Sequence, residues 1–247
     1  VGDGHEALAD GETSPLQPVG VAKPTVIRWE EWTQRGTFWR ATLMTLAPSP
    51  AIENTPWRRS GTGTLPDSWL KELRNTIDAL RRSRTNRMLL TPELVREILL
   101  HEFGSDVPTE ATDWAVCHGD LTWSNLTAPT FNLLDWESWG LAPRGYDVAR
   151  LICCSTRDPA TVRKLQVLFK DELNSPTGDV AILTAIAGWK SHSAAQLDDA
   201  VRQTLDRIAQ RILAQPRWLR GRRLGHAAPL LWSRRQWPIG RAELSRR

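Results

Sequence analysis

The sequence lacks several features that would assign it to a membrane or secreted class. It contains no run of about 18 apolar residues, the length that a helix needs to span a bilayer. Its N-terminus has neither the basic nor the apolar segment of a signal peptide. Its three cysteines, Cys117, Cys153 and Cys154, fit neither a disulfide framework nor a CxxC zinc site. These absences predict a protein of the reducing cytoplasm that does not associate with a membrane.

The charges are unevenly distributed along the chain. Residues 216–247 carry nine arginines, no lysine and one acid, so this tail has a net charge of +8. Because the whole chain has a net charge of +4, residues 1–215 have a net charge of −4. The acidic body permits a cationic substrate. Arginine and tryptophan alternate in the tail and leave nucleic acid open as a partner, but no RNA- or DNA-binding module is present, which favours a solvated extension.

A few strands precede many helices. Residues 24–32 and 37–46 have the composition of strands, the second largely buried, and residues 49–66 form a loop. One helix face is predicted from apolar residues spaced by three or four, Trp69, Leu73, Ile77 and Leu80. A second helix begins at Thr91 and is closed by Gly104. Further helices are predicted at about residues 144–155, 159–173, 178–192 and 194–214. This order predicts an α+β fold.

Three polar side chains lie near predicted strand ends within sixteen residues. Asp120 and Asn125 follow a short apolar strand at residues 114–117, and a hairpin leads from Asn125 to Asp135. Because a hairpin brings its two ends together, we expect Asn125 and Asp135 to face each other. Two such oxygen ligands suit Mg²⁺, and Asp120 is placed to accept a proton from an attacking hydroxyl. These are the groups that phosphoryl transfer requires.

The same residues carry a family resemblance. Residues 118–126 read HGDLTWSNL and residues 133–137 read LLDWE. This order resembles the aminoglycoside phosphotransferase / choline kinase family, whose pattern is H-G-D-x4-N followed by D-W or D-F-E. Residues 143–151, PRGYDVARL, resemble the P-x-x-x-D-(L/V)-A segment that follows in the family. The resemblance implies a protein-kinase-like fold with ATP or GTP and Mg²⁺ bound between two lobes. Glu137 would either contact the metal or flank it.

The resemblance also implies roles for individual residues. Asp120 matches the catalytic aspartate, which orients or deprotonates the substrate hydroxyl. Asn125 and Asp135 match the two magnesium ligands. His118 and Asp147 match residues that support the catalytic loop.

The start of the sequence departs from the family pattern. The family has a phosphate-covering loop, a strand lysine that binds the phosphates and a helix glutamate that pairs with this lysine. The only lysine before residue 46 is Lys23, and Pro24 follows it directly, so a central strand is not expected there. By resemblance, Glu12 is the candidate for the helix glutamate. The lysine strand and the phosphate loop are then expected before residue 1.

The resemblance divides the chain into three parts. Residues 1–47 form a partial N-terminal lobe that ends in a hinge, where Met44, Thr45 and Leu46 bind the nucleotide. Residues 48–215 form a helical catalytic lobe, and residues 216–247 form a basic extension.

Two functions are therefore predicted. The first is an ATP- or GTP-dependent kinase for a small hydroxyl-bearing molecule, with aminoglycosides, homoserine, choline and macrolides left open. The second is a non-catalytic, nucleotide-binding remnant of the same family. The intact set Asp120, Asn125 and Asp135 favours the first, and the missing lysine strand and phosphate loop favour the second.

Overall fold

Two small antiparallel sheets and a series of helices make up the described part of the chain. The computed structural model describes residues 20–54, 65–192 and 198–214. Strands β1 (Val26–Gln34) and β2 (Thr37–Met44) form a hairpin, and β3 (Trp114–Cys117) pairs with β4 (Gly140–Pro143). The helices are α1 (Asp67–Arg82), α2 (Pro92–Phe103), α3 (Tyr146–Cys153), α4 (Pro159–Leu168), α5 (Lys170–Leu173), α6 (Pro176–His192) and α7 (Asp199–Leu213). This arrangement confirms the predicted α+β class. Of the helices described, none combines the length and the apolar composition needed to cross a membrane.

Helix ends and helix faces follow the sequence signals. The hydroxyl of Thr91 accepts a hydrogen bond of 3.2 Å from the N–H of Leu94, which caps α2 as predicted. Gly104 ends this helix with a φ of +81°, a torsion that suits glycine. The predicted face of α1 is buried over its whole length, at Trp69, Leu73, Ile77 and Leu80.

Three sequence predictions require correction. β2 is not largely buried, since Trp39 is 49% and Leu43 is 54% exposed. Within the described residues β1 and β2 pair only with each other, and most of their side chains are exposed. The single helix expected at 159–173 is two helices, α4 and α5, divided at the buried Phe169. The hairpin expected at 125–134 has one bridge between Leu126 and Leu133 instead of two full strands.

Helix α3 lies where two buried clusters meet. One cluster joins α1, the chain between β3 and β4, and α4, and it includes Val148, Leu151 and Ile152 of α3. The other joins α2, α6 and α7, and it includes Tyr146, Ala149 and Cys153 of α3. Because α3 is packed on both sides, it is a rigid support for the loop that follows β3.

Candidate active site

The chain turns sharply where β3 ends, in residues 118–125, which we call the catalytic loop. Gly119 has a φ of +86°, in the left-handed region that favours glycine. A Cβ atom at this position would lie 2.5 Å from the carbonyl oxygen of Ser138 and 2.7 Å from a methyl group of Leu89. Both the torsion and the lack of space therefore require glycine. Asp120 follows this turn with a half-buried side chain.

Asp147, near the start of α3, supports the catalytic loop from below. Its carboxylate oxygens accept hydrogen bonds from the backbone N–H groups of His118, at 2.7 Å, and Gly119, at 2.8 Å. Burial raises the pKa of Asp147 to about 6, although both hydrogen bonds favour the charged form. These contacts favour the supporting role predicted for Asp147.

His118 connects the catalytic loop to the second part of the site. Its side chain is fully buried, and Nε2 lies 2.8 Å from the carbonyl oxygen of Leu134. Because a carbonyl oxygen can only accept, Nε2 carries the proton and donates it. Burial lowers the pKa of His118 to about 4, so the ring is neutral at pH 7. The ring also packs edge-on against Trp136. His118 thereby ties the loop to the segment that contains Asp135.

Two donors from different elements hold the carboxylate of Asp120. The guanidinium of Arg150, on α3, donates from Nη2 to Oδ1, and Nδ2 of Asn125 donates to Oδ2 at 3.0 Å. The Asp120 side chain is 38% exposed, which leaves part of it accessible to a substrate. No sequence motif predicted this role for Arg150. Its position three residues after Asp147 was the available signal, because this spacing places both side chains on one face of a helix.

The chain between Asn125 and Asp135 folds back on itself. Leu126 and Leu133 form an antiparallel bridge, and the N–H of Leu134 donates to the carbonyl oxygen of Asn125 at 2.8 Å. Asn125 therefore lies beside the residue that precedes Asp135. Asn125 is buried, whereas Asp135 is exposed and has a φ of +59°.

Asn125 and Asp135 offer the kinds of donor atom that a magnesium ion binds. The amide nitrogen of Asn125 donates to Asp120, which leaves the amide oxygen as the atom that can bind a metal. Asp135 adds a carboxylate, and Mg²⁺ usually combines one or two such groups with phosphates and water. Among the residues described, no group of three or more His, Cys, Asp or Glu side chains is arranged to hold a metal. One amide oxygen and one carboxylate are the kind of donor set that suits a phosphate-bound Mg²⁺.

The predicted nucleotide-binding residues lie at the end of β2, with Met44 as its last residue and Thr45 and Leu46 directly after it. The N–H of Thr45 donates to the carbonyl oxygen of Thr25 at 2.9 Å, and its hydroxyl accepts from the N–H of Thr25 at 2.9 Å. Met44 is 40% and Leu46 is 95% exposed. Farther along the chain, the N–H of Ile52 donates to the carbonyl oxygen of Leu126 at 2.7 Å. A backbone hydrogen bond thus connects the chain shortly after the hinge segment to the residue that follows Asn125.

Two charged residues of the first part of the chain bear on the lysine–glutamate pair that the family pattern includes. Glu12, the predicted helix glutamate, lies outside the described residues. The ammonium group of Lys23 lies 4.7 Å from the ring centroid of Trp136, and burial lowers the pKa of Lys23 to about 8. β1 begins only at Val26, so Lys23 does not lie in a strand.

Comparisons with known proteins agree with the motif analysis. A model of the phosphotransferase enzyme family (APH) matches residues 33–178, more than half of the chain. This match confirms the family predicted from the sequence. A search of curated proteins found no significant match. Twenty-one chains of solved structures match, and they include a choline/ethanolamine kinase family protein from Mesorhizobium loti. It is 13% identical, with a TM-score of 0.47, and the alignment covers 81% of this chain and 77% of that protein.

Proposed function

Since the chain belongs to the phosphotransferase enzyme family, we propose that it transfers the γ-phosphate of ATP or GTP to a hydroxyl group of a small molecule. The observation that carries this proposal is the environment of Asp120. A partly exposed carboxylate is oriented by two fixed donors, Arg150 and Asn125, and Asn125 is also suited to magnesium. Such fixed orientation of an accessible acid is what a reacting group requires.

Asp120 is the proposed catalytic base. The attacking hydroxyl donates to its carboxylate, which directs the hydroxyl oxygen at the γ-phosphorus. As the new P–O bond forms, the bond from the γ-phosphorus to the bridging oxygen breaks, Asp120 takes the hydroxyl proton, and ADP or GDP leaves. Each carboxylate oxygen retains an acceptor position beside its hydrogen bond from Arg150 or Asn125. The two donors therefore orient Asp120 without preventing its contact with a substrate.

Asn125 and Asp135 are the proposed ligands of the magnesium ion, through the amide oxygen and the carboxylate. When bound, the ion supplies positive charge that neutralises the phosphate oxygens of the nucleotide. Residues 44–46 border the nucleotide base in this proposal, and the exposed side chain of Leu46 offers it an apolar surface. His118 and Asp147 maintain the shape of the loop and make no contact with the reacting atoms.

The proposal retains the three-part organisation inferred from the sequence. Residues 1–47 belong to the small lobe and hinge, residues 48–215 form the catalytic lobe, and residues 216–247 form a basic extension. The net charge of −4 on residues 1–215 is compatible with a cationic acceptor such as an aminoglycoside. Cys117, Cys153 and Cys154 are free thiols, which suits the reducing cytoplasm.

A non-catalytic nucleotide-binding protein is the second candidate. It is favoured by Lys23, whose ammonium group lies against the ring of Trp136 and which precedes β1 instead of lying in a strand. A phosphate-binding lysine normally stabilises the transferring group, and losing one such donor costs about 10²–10³ in rate. In this alternative the site binds nucleotide with magnesium and transfers no phosphate.

The decisive experiment compares the full chain with its Asp120→Asn variant. Release of ADP or GDP is measured with Mg²⁺ and a panel of acceptors containing an aminoglycoside, choline, homoserine and a macrolide. We expect Asp120→Asn to lower kcat by about 10²–10⁴, the usual contribution of a catalytic base. Asp113→Asn is the matched control, because Asp113 is also paired with an arginine but lies at the surface, 51% exposed.

Two outcomes would each contradict one part of the proposal, either the role of Asp120 or the transfer of phosphate. Magnesium-dependent turnover that is unchanged in Asp120→Asn would remove Asp120 from the chemistry. A melting temperature raised by ATP with Mg²⁺, together with no turnover on any acceptor, would favour the non-catalytic alternative, because a ligand that binds only the folded state stabilises it.

A further inference from the structure

Helix α3 contacts the catalytic loop through two side chains, one helical turn apart. Asp147 binds the loop backbone at His118 and Gly119. Arg150 binds the carboxylate of Asp120. We propose that Arg150 is a positioning residue for phosphate transfer, which fixes the rotation of the Asp120 carboxylate toward the acceptor hydroxyl. This inference rests on the proposed function, and it concerns a residue for which the sequence motifs imply no role.

The carboxylate needs such a donor because its terminal torsion is intrinsically soft. The last torsion of an aspartate side chain is broad, so the backbone alone does not orient the two oxygens. Asn125 binds Oδ2 from the catalytic loop itself, at 3.0 Å. Arg150 binds Oδ1 from a different element. Two donors on opposite oxygens define the plane of the carboxylate, and a single donor would leave it able to rotate.

Arg150 is itself held in place. Its side chain is only 16% exposed, and its guanidinium carbon lies 5.8 Å from the ring centroid of Trp189 on α6. Tyr146, one turn earlier on α3, interacts electrostatically with the same side chain. A charge so far removed from water is stable only when it is paired, and Asp120 is its carboxylate partner. The guanidinium is therefore preorganised before any substrate binds.

This geometry separates the expected effect of Arg150 on kcat from its effect on nucleotide binding. Among the described residues, the contacts of Arg150 are with Asp120, the proposed catalytic base, and with Tyr146 and Trp189, none of which is proposed to bind magnesium or the nucleotide. Loss of the guanidinium should misorient Asp120 and slow the chemical step, while the affinity for MgATP stays nearly unchanged. Arg150→Lys should retain only part of the wild-type kcat, because the lysine ammonium is a point charge without the planar geometry of a guanidinium.

The first arm of the test is kinetic. It uses the full chain with MgATP and the acceptor from the panel that gives the highest turnover. We expect Arg150→Ala to lower kcat by about 10–100-fold, the cost of a small misplacement of a reacting group. KM for MgATP should stay within about two-fold of the wild-type value. Added ethylguanidinium should recover part of the lost kcat of Arg150→Ala and should not change the wild type. Arg157→Ala is the matched control, since Arg157 pairs with Asp198 at the surface with its side chain 68% exposed.

The second arm does not depend on activity. Melting temperatures of Arg150→Ala, Asp120→Asn and the double variant are compared with the wild type. Because the two side chains bind each other, we expect the melting temperature of the double variant to fall by less than the sum of the decreases in the two single variants.

The outcomes distinguish a failure of the role proposed for Arg150 from a failure of the proposed kinase activity. Additive melting-temperature changes, or a kcat of Arg150→Ala equal to the wild type, would overturn the role of Arg150 while the kinase proposal stands. A kcat loss that ethylguanidinium leaves unaltered, with KM for MgATP raised in parallel, would also overturn it, because that pattern indicates general damage to the fold. A wild type without turnover would overturn the proposed function and this inference together, even if the melting temperatures are non-additive.

Discussion

The catalytic loop and the β1–β2 hairpin are held in place in opposite ways. The catalytic loop is held by residues that lie farther along the sequence. Asp147 accepts hydrogen bonds from two backbone N–H groups of the loop, and the His118 side chain donates to the carbonyl oxygen of Leu134. The hairpin depends on its own cross-strand pairs, such as Trp32 stacked on Trp39 with ring centroids 6.4 Å apart. His118 is fully buried, whereas these two tryptophans are 44% and 49% exposed.

This difference bears on how much each region tolerates change. The catalytic loop is packed on several sides by residues that are distant in sequence. A change in the size of a loop side chain must therefore be accommodated by neighbours that are themselves closely packed. A hairpin that is exposed can adjust locally. We therefore expect equivalent substitutions to lower the free energy of unfolding more in the catalytic loop than in the β1–β2 hairpin.

Gly119→Ala should cause the largest loss of stability. Its φ of +86° disfavours any residue with a Cβ atom, and that atom would lie 2.5 Å from the carbonyl oxygen of Ser138. The cost of the left-handed torsion and the cost of overpacking add to about 4 kcal/mol in the free energy of unfolding. Urea unfolding followed by far-UV circular dichroism measures this loss.

Gly36→Ala is the matched control in the hairpin. Gly36 has a similar φ of +78°, but nothing lies within 4 Å of the position that its Cβ atom would occupy. Only the torsional cost applies, so we expect a loss of about 1 kcal/mol. Equal losses in the two variants would show that the loop is no more constrained than the hairpin.

The same contrast explains which parts of the fold were predictable. The face of α1 follows from residue spacing, and Trp69 and Leu73 are buried as predicted. The burial of β2 does not follow from its composition, because burial depends on what covers a strand. β4 was missed because Gly140–Pro143 contains glycine and proline, which have low strand propensity, and it is a strand only through its pairing with β3.

The candidate site was predictable where its residues are close in sequence. Asn125 and Asp135 are joined by a short chain that folds back, so the motif alone suggested that they lie close together. Arg150 could not be assigned to Asp120 in this way. The spacing after Asp147 predicts a shared helix face, but only the packing of α3 beneath the loop determines what that face contacts.

A pH experiment should give an intermediate effect that is specific to the loop. Burial lowers the pKa of His118 from 6.5 to about 4 in the folded state. As the pH falls below 6.5, the unfolded chain binds a proton at His118 that the folded chain does not, so stability is lost toward the pKa of about 4. Between about pH 7.5 and about pH 5, this contribution amounts to about 2 kcal/mol. It is measured by urea unfolding at both pH values.

His118→Gln isolates this contribution. Glutamine does not titrate, and its amide can still donate to the carbonyl oxygen of Leu134. Burial raises the pKa of Asp147 to about 6, so Asp147 acts in the opposite direction and adds stability as the pH falls. This term is present in both proteins and cancels in their difference. A stability difference between wild type and His118→Gln that stays constant from about pH 7.5 to about pH 5 would contradict a neutral buried histidine.

Trp32→Ala should have the smallest effect, because it removes a contact that belongs to the hairpin alone. Trp32 is 44% exposed and stacks on Trp39 with an interplanar angle of 13°. Stacking of this kind contributes about 0.5–1.5 kcal/mol, so we expect a loss of about 1 kcal/mol in urea unfolding. Trp39→Ala should cost a similar amount, and the double variant should lose less than the sum, since both changes remove the same contact. A loss of about 3 kcal/mol or more from Trp32→Ala alone, as for a tryptophan in a core, would mean that the hairpin is as constrained as the catalytic loop.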